Sequence, residues 1–138
     1  MILTDTGFWL ALANRGDIHH EAAKRALAAV SEPLVTTLPV ATETCHLLLS
    51  RLGPSAQLAF VASWTAGAFQ LHEIGDHHAD RISVLMQKYR ELPMDLADAS
   101  LVIAAEDLGT GRIFSTDCRD FRSYRWKNRK PFKNLLLP

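Results

Sequence analysis

Apolar residues recur along this chain in two rhythms: short unbroken runs, and longer stretches with apolar positions three and four apart. The first pattern predicts buried strands and the second predicts helices. "MILTD" reads as a strand ending at Asp5, and "TGFWLALANRGD" as a helix stopping near Gly16. "HHEAAKRALAAVSE" is an amphipathic helix ended by Pro33, and "LVTT" is a strand. Pro39 opens a helix through "VATETCHLLLSRLG", which Gly53 and Pro54 break, and "SAQLAFVASWTAG" is the next helix. "FQLHEI" alternates as a strand does, and "HADRISVLMQKYREL" is helical. "PMDLADASLVIAAEDLG" is a helix closed by Gly109 and Gly111, and "RIFSTD" is a strand ending at Asp117. The remainder reads as a last strand around Tyr124 and an irregular, basic tail. Strands alternating with helices predict a three-layer α/β/α sandwich with a mainly parallel central sheet, formed by residues 1–138 as one domain.

The helix between Pro93 and Gly109 is apolar nearly all round, which marks it as buried, yet two aspartates stand near its start. Asp98 shares a stripe with Leu101, Val102 and Ala105, and Asp95 lies three residues earlier. Burying an unpaired carboxylate costs several kcal/mol or forces it to protonate. Asp95 is best read as a helix cap. For Asp98 the helix dipole and a functional role are equally good reasons.

Composition narrows the class without naming it. Of 138 residues, 48% are hydrophobic and the net charge is zero, so neither disorder nor a bulk polyelectrolyte is indicated. No basic leader and no long apolar run appears, so no membrane span is expected. Cys45 and Cys118 alone suggest a reducing, cytoplasmic setting rather than a disulfide framework. From Arg112 onward, eight lysines and arginines face only Asp117 and Asp120, with Tyr124, Trp126 and Phe132 interleaved. That asymmetry points to a polyanionic partner such as nucleic acid, with a solvated basic face as the plain alternative.

In a parallel sheet, ligands bind where strands end and helices begin. Asp5 and Asp117 end strands, and Glu43 and Asp98 stand near helix starts, so one sheet edge gathers four carboxylates. Each could instead serve locally as a cap, a first-turn acid or a turn opener. Gathered together they repel, and an all-oxygen cluster suits a hard ion, Mg2+ or Mn2+. Such a site favours hydrolysis of a phosphodiester by a metal-activated water.

The stretches "LTDTGFWLALANRGDIHHEAA", "TTLPVATETCHLLL", "PMDLADASLVIAAE" and "IFSTDCRDFRSYR" resemble, in order and over nearly the whole chain, PIN-domain ribonucleases of the VapC-like toxin type. The resemblance implies a Mg2+- or Mn2+-dependent endoribonuclease with Asp5, Glu43, Asp98 and Asp117 as catalytic and metal-binding acids. Thr116 would support Asp117, Asp120 would be a supporting group or occasional ligand, and Asp95 a cap or outer acid. It also implies an RNA substrate, a homodimer, and a cognate antitoxin that blocks the acidic site.

Other residues read more plainly. His19 and His20 belong to a helix start, and His77 and His78 read as surface loop residues rather than a transition-metal site. Phe8, Trp9 and Leu12 suit a core or a dimer surface, and Cys45 a small buried hydrophobe. No glycine-rich phosphate loop is present. Two rivals stay open: a non-catalytic RNA-binding or interaction module of this fold, and a small-molecule phosphohydrolase.

Overall fold

The computed structural model describes residues 1–138. The first strand, β1 (Ile2–Thr4), leads into α1 (Thr6–Ala13), and α2 (His20–Ala28) returns to β2 (Leu34–Thr37). Helices α3 (Leu38–Leu52) and α4 (Pro54–Thr65) precede β3 (Gln70–His72). After a 3-10 turn at Asp76–His78 come α5 (Ala79–Lys88), α6 (Leu96–Leu108) and β4 (Arg112–Phe114). The chain closes with α7 (Cys118–Ser123), the short antiparallel pair β5 (Arg125–Trp126) and β6 (Lys130–Pro131), and β7 (Lys133–Asn134).

The five-stranded sheet has the order β3-β2-β1-β4-β7, with every neighbouring pair parallel. Side chains alternate across it, as strand geometry requires. Leu3, Val35 and Ile113 join the core under α5 and α6, with Leu85, Leu101 and Ile103. Ile2, Leu34 and Phe114 join the opposite core, with Phe8, Trp9, Phe60 and Phe69. Two cores on two sheet faces make three layers, as the sequence pattern predicts. Phe8 and Trp9 therefore belong to the core, where Trp9 packs edge-on to Phe8 and Phe60 and donates to Thr4 Oγ1.

Three sequence expectations change. The first helix ends at Ala13 rather than near Gly16, because Asn14 leaves the helical conformation and its side chain accepts from Gly16 N. The strand read as ending at Asp117 stops at Phe114, and Asp117 instead caps α7. The tail is not irregular: Lys133 and Leu135 hydrogen-bond Gly111 and Ile113, and β7 becomes one edge strand of the sheet. Asn134 fixes this return by donating to Ser115 O and accepting from Ser115 N and Leu136 N. No helix is long and apolar enough to cross a membrane.

Candidate active site

From β1 the chain steps outward in one direction through β2 to β3, and β4 and β7 lie on the other side of β1. The order of strands reverses between β1 and β4, and the crevice beyond their carboxyl ends is the favoured place for a ligand. Asp5 directly follows β1, and Asp117 follows β4 by a short loop.

Asp5 is almost buried. Its Oδ1 accepts from Thr6 N at 2.8 Å and its Oδ2 from the Ser115 hydroxyl at 3.0 Å. Burial pushes its pKa up to about 6, the nearby charges of Glu43 and Asp117 add to the rise, and the two hydrogen bonds oppose it. Ser115 Oγ also accepts from Asp117 N at 2.9 Å, so one hydroxyl ties the ends of both strands together. The hydroxyl that bonds at this edge is Ser115's, to the Asp5 carboxylate and the Asp117 backbone N–H. Thr116 lines the cleft and lies over α1, where a Cβ added at Gly7 would fall 1.8 Å from its Oγ1.

Asp95 is the N-cap of α6, its Oδ1 accepting from Asp98 N at 2.8 Å. Asp98 is held by the Tyr124 hydroxyl, which donates to its Oδ2 at 2.8 Å. Burial pushes the Asp98 pKa up to about 7, helped by the charges of Asp95, Asp5 and Asp120. Burial, with the Asp98 carboxylate, in turn drives the Tyr124 hydroxyl far above the ordinary phenol range, so it stays a donor. Asp117 caps α7 by accepting from Asp120 N at 3.1 Å. Burial and the facing Asp117 raise the Asp120 pKa. Asp120 Oδ1 is buried without a hydrogen-bond partner, since Arg119 Nε stands 3.4 Å away outside bonding geometry.

Asp5, Glu43, Asp95, Asp98, Thr116, Asp117 and Asp120 all line one cleft of about 290 Å³, with Thr6, Gly7, Leu10, Leu47, Arg51 and Pro93. Every candidate site residue of the sequence therefore faces the same space. Local capping and convergence are not alternatives here, because Asp5, Asp95 and Asp117 each do both. The acids remain spread: no three of their carboxylate oxygens lie within 4.8 Å of one another. Arg51 is the residue that sequence reasoning passed over. It stands two turns beyond Glu43 on α3, with Leu47 between, and is the one cation in the lining. That spacing of four and eight from Glu43 was the available signal.

Charge repulsion, raised carboxyl pKa values and the orphaned Asp120 Oδ1 are the marks of an oxygen-donor site that fits a hard divalent cation. Spread carboxylates suit Mg2+, which keeps several waters and takes only one or two carboxylates directly.

One histidine expectation changes, while His19 and His20 do begin α2. His78 is buried rather than a surface residue, because the 3-10 turn directs its ring inward to Asp107. His20 links helices, its Nδ1 lying 2.7 Å from Ala11 O. Cys45 is half-buried rather than buried, and what burial it has raises its pKa.

Residues 2–127 match the family model described as PIN domain. The chain is 27% identical to Ribonuclease VapC26 of Mycobacterium tuberculosis (strain ATCC 25618 / H37Rv) over 124 residues, covering 90% of this chain and 92% of that protein. It is 44% identical over 62 residues to the 23S rRNA-specific endonuclease VapC20 of the same organism, covering 45% of this chain and 47% of that one. The crystal structure of Mycobacterium tuberculosis VapC20, a Sarcin-Ricin loop cleaving toxin, superposes with a TM-score of 0.80 at 25% identity, covering 86% of this chain and 92% of that one.

Proposed function

The chain belongs to the PIN-domain family, and on that premise we propose that it is a metal-dependent endoribonuclease of the VapC toxin type. The observation that carries this reading is the single acidic cleft at the strand-order reversal, built by residues from β1, α3, α6 and the β4–α7 junction.

Asp5 and Asp98 would be the principal ligands of a Mg2+ or Mn2+ ion, and Glu43 and Asp117 would complete the site. A divalent ion held there supplies an activated water and charge stabilisation for a phosphodiester displacement. Ser115 keeps Asp5 and Asp117 in register, and the Tyr124 hydroxyl fixes the rotation of Asp98. Glu43 would orient a water from α3. Asp120, which lines the same cleft and has a buried oxygen without a hydrogen-bond partner, would be an additional acceptor for water or ion. Arg51 meets a phosphate next to the scissile one, since six carboxylates would otherwise repel the approaching polyanion.

The partners follow from the same surface. An apolar groove of about 840 Å³, lined by Leu38, Pro39, Ile74, Ile82 and Leu96, shares Glu43 and Asp95 with the acidic cleft. It suits an antitoxin segment that lies in the groove and reaches the acids with a basic side chain. Exposed Leu58, Trp64 and Val84 leave apolar surface on α4 and α5 for a second copy of the chain.

Incubation of the purified protein with labelled RNA, in Mg2+ or Mn2+ and in EDTA, tests the reading. The Sarcin-Ricin loop RNA named for VapC20 is the first substrate to try. Internal cleavage that requires the cation is expected, with no release of phosphate from monoesters. Asp5→Asn and Asp98→Asn are each expected to abolish cleavage while the protein still melts cooperatively. Full metal-dependent activity in either variant would refute the assignment of the site.

A further inference from the structure

We propose that His72, His78 and Asp107 form a second metal site, for a Zn2+-like transition ion, distinct from the acidic cleft. The three side chains come from β3, the 3-10 turn and the end of α6. His72 Nε2 lies 2.7 Å from Asp107 Oδ2, and His78 Nε2 lies 2.8 Å from the same oxygen. One ligand atom from each of the three falls within 4.8 Å of the other two. None of the three lines the acidic cleft.

Chemistry sets this cluster apart from the acids. Two imidazoles and one carboxylate form a borderline donor set that prefers Zn2+, Co2+ or Ni2+ over Mg2+. Three protein ligands leave room for water in the remaining positions. The rings are also held in place beforehand. His78 is buried and His77 packs against it with ring centroids 3.9 Å apart. His72 is held by its strand, where it registers with Thr37. Both rings aim their Nε2 atoms at a single oxygen, so an ion entering between them meets three ligands without a change of fold.

Coordination requires one local rearrangement. Gly75 N donates to His78 Nδ1 at 3.1 Å, which places the proton of the neutral ring on Nε2. On binding an ion, each neutral ring moves its proton from Nε2 to Nδ1 through solvent. Gly75 N must then release Nδ1 and turn toward water. One backbone hydrogen bond is small beside the coordination of a Zn2+ ion. The bound ion would staple the edge strand β3 and the turn to α6.

Titration of the tag-free, EDTA-stripped protein with Co2+ in excess Mg2+ tests this directly. One equivalent of Co2+ is expected to give a visible ligand-field spectrum that Zn2+ displaces, and Zn2+ is expected to raise the Tm. His72→Gln and Asp107→Asn, both at partly exposed positions, are expected to lose more than about tenfold in Co2+ affinity, since changes outside the ligand set alone cost that much elsewhere. Their far-ultraviolet spectra should match the parent. Asp5→Asn should retain the signal, and the Gly75 amide should exchange faster once the ion is bound. Unchanged Co2+ binding in both cluster variants, loss of the signal in Asp5→Asn, or no visible band in the parent would overturn the proposal. The result is independent of whether the protein cleaves RNA.

Discussion

Asp98 carries two roles that pull against each other. It stands in the first turn of a buried helix, where the backbone favours its charge, and burial with nearby acids pushes its pKa up to about 7. Asp5 is pushed up to about 6 by the same cause. An ordinary aspartate titrates near 4. Between about pH 4 and 7 the folded chain therefore binds more protons than the unfolded one, and its metal-free stability falls as pH rises through that window. In EDTA the Tm is expected to drop from pH 5 to pH 8. Asp98→Asn should remove much of this drop and exceed the parent at pH 8, by on the order of 2 kcal/mol after allowance for the partial exposure of Asp98. Addition of Mg2+ or Mn2+ at pH 8 should raise the parent's Tm and leave that of Asp98→Asn nearly unchanged. Thermal melts across that pH range check all three. A parent curve that rises with pH in EDTA would show that the acids are not held against their charge.

The same tension appears between elements, where close packing brings the acids to one edge. Gly7 sits inside α1, where alanine would ordinarily be the better helix former. A methyl there would strike Thr116 Oγ1 at 1.8 Å and meet Thr116 Cβ at 3.0 Å. Gly7→Ala is therefore expected to destabilise by about 1–3 kcal/mol as overpacking does, and to weaken cleavage by moving the loop that carries Asp117. Thr116→Ala in the same chain should recover part of the stability in denaturant unfolding. The strands and long helices are legible in the sequence because each carries an apolar run or a helical period, as in "ILT", "LVTT" and "ADASLVIAA". The acids are legible because they mark where those elements begin and end. Helix α7 and strand β7 are not, since each is too short to show a period. Helix α7 depends on the Asp117 cap, and β7 on Asn134 reaching back to Ser115. Sequence alone favours Thr116 over Ser115 for a related reason: which of two adjacent hydroxyls turns inward is decided by a partner far along the chain. His78 reads as a surface residue because Asp107, its partner, lies 29 positions away.

Across the whole molecule, the basic tail does not simply lead into the acidic cleft. Arg112 is paired with Glu32 at the start of β4. The tip of the β5–β6 hairpin is pinned by Lys127 N donating to Glu106 Oε2 and by Arg81, which binds both Glu106 and Asn128. Glu106 lies eight residues beyond Asp98 on α6, about 12 Å along its axis. The hairpin cations thus stand at the far end of the helix whose near end builds the site. Lys127 and Lys130 hold their ammonium groups 5.8 and 4.8 Å from the Trp126 ring, and Arg129 is exposed beside them. These cations would meet nucleotides remote from the scissile bond, whereas Arg51 would meet the phosphate in the cleft. Replacing Lys127, Arg129 and Lys130 together by alanine is therefore expected to weaken binding of a long RNA. The slope of log affinity against log salt should flatten by up to about 2–3, roughly one for each phosphate no longer neutralised. The rate at saturating RNA should not change. A short oligonucleotide that fills only the cleft should bind the triple variant as well as it binds the parent, and should lose affinity on Arg51→Gln. Salt titrations with the two RNA lengths separate the two sets of cations. Equal weakening for both lengths in the triple variant would mean that the hairpin acts at the cleft itself, and that the charge asymmetry of the chain serves one binding surface rather than two.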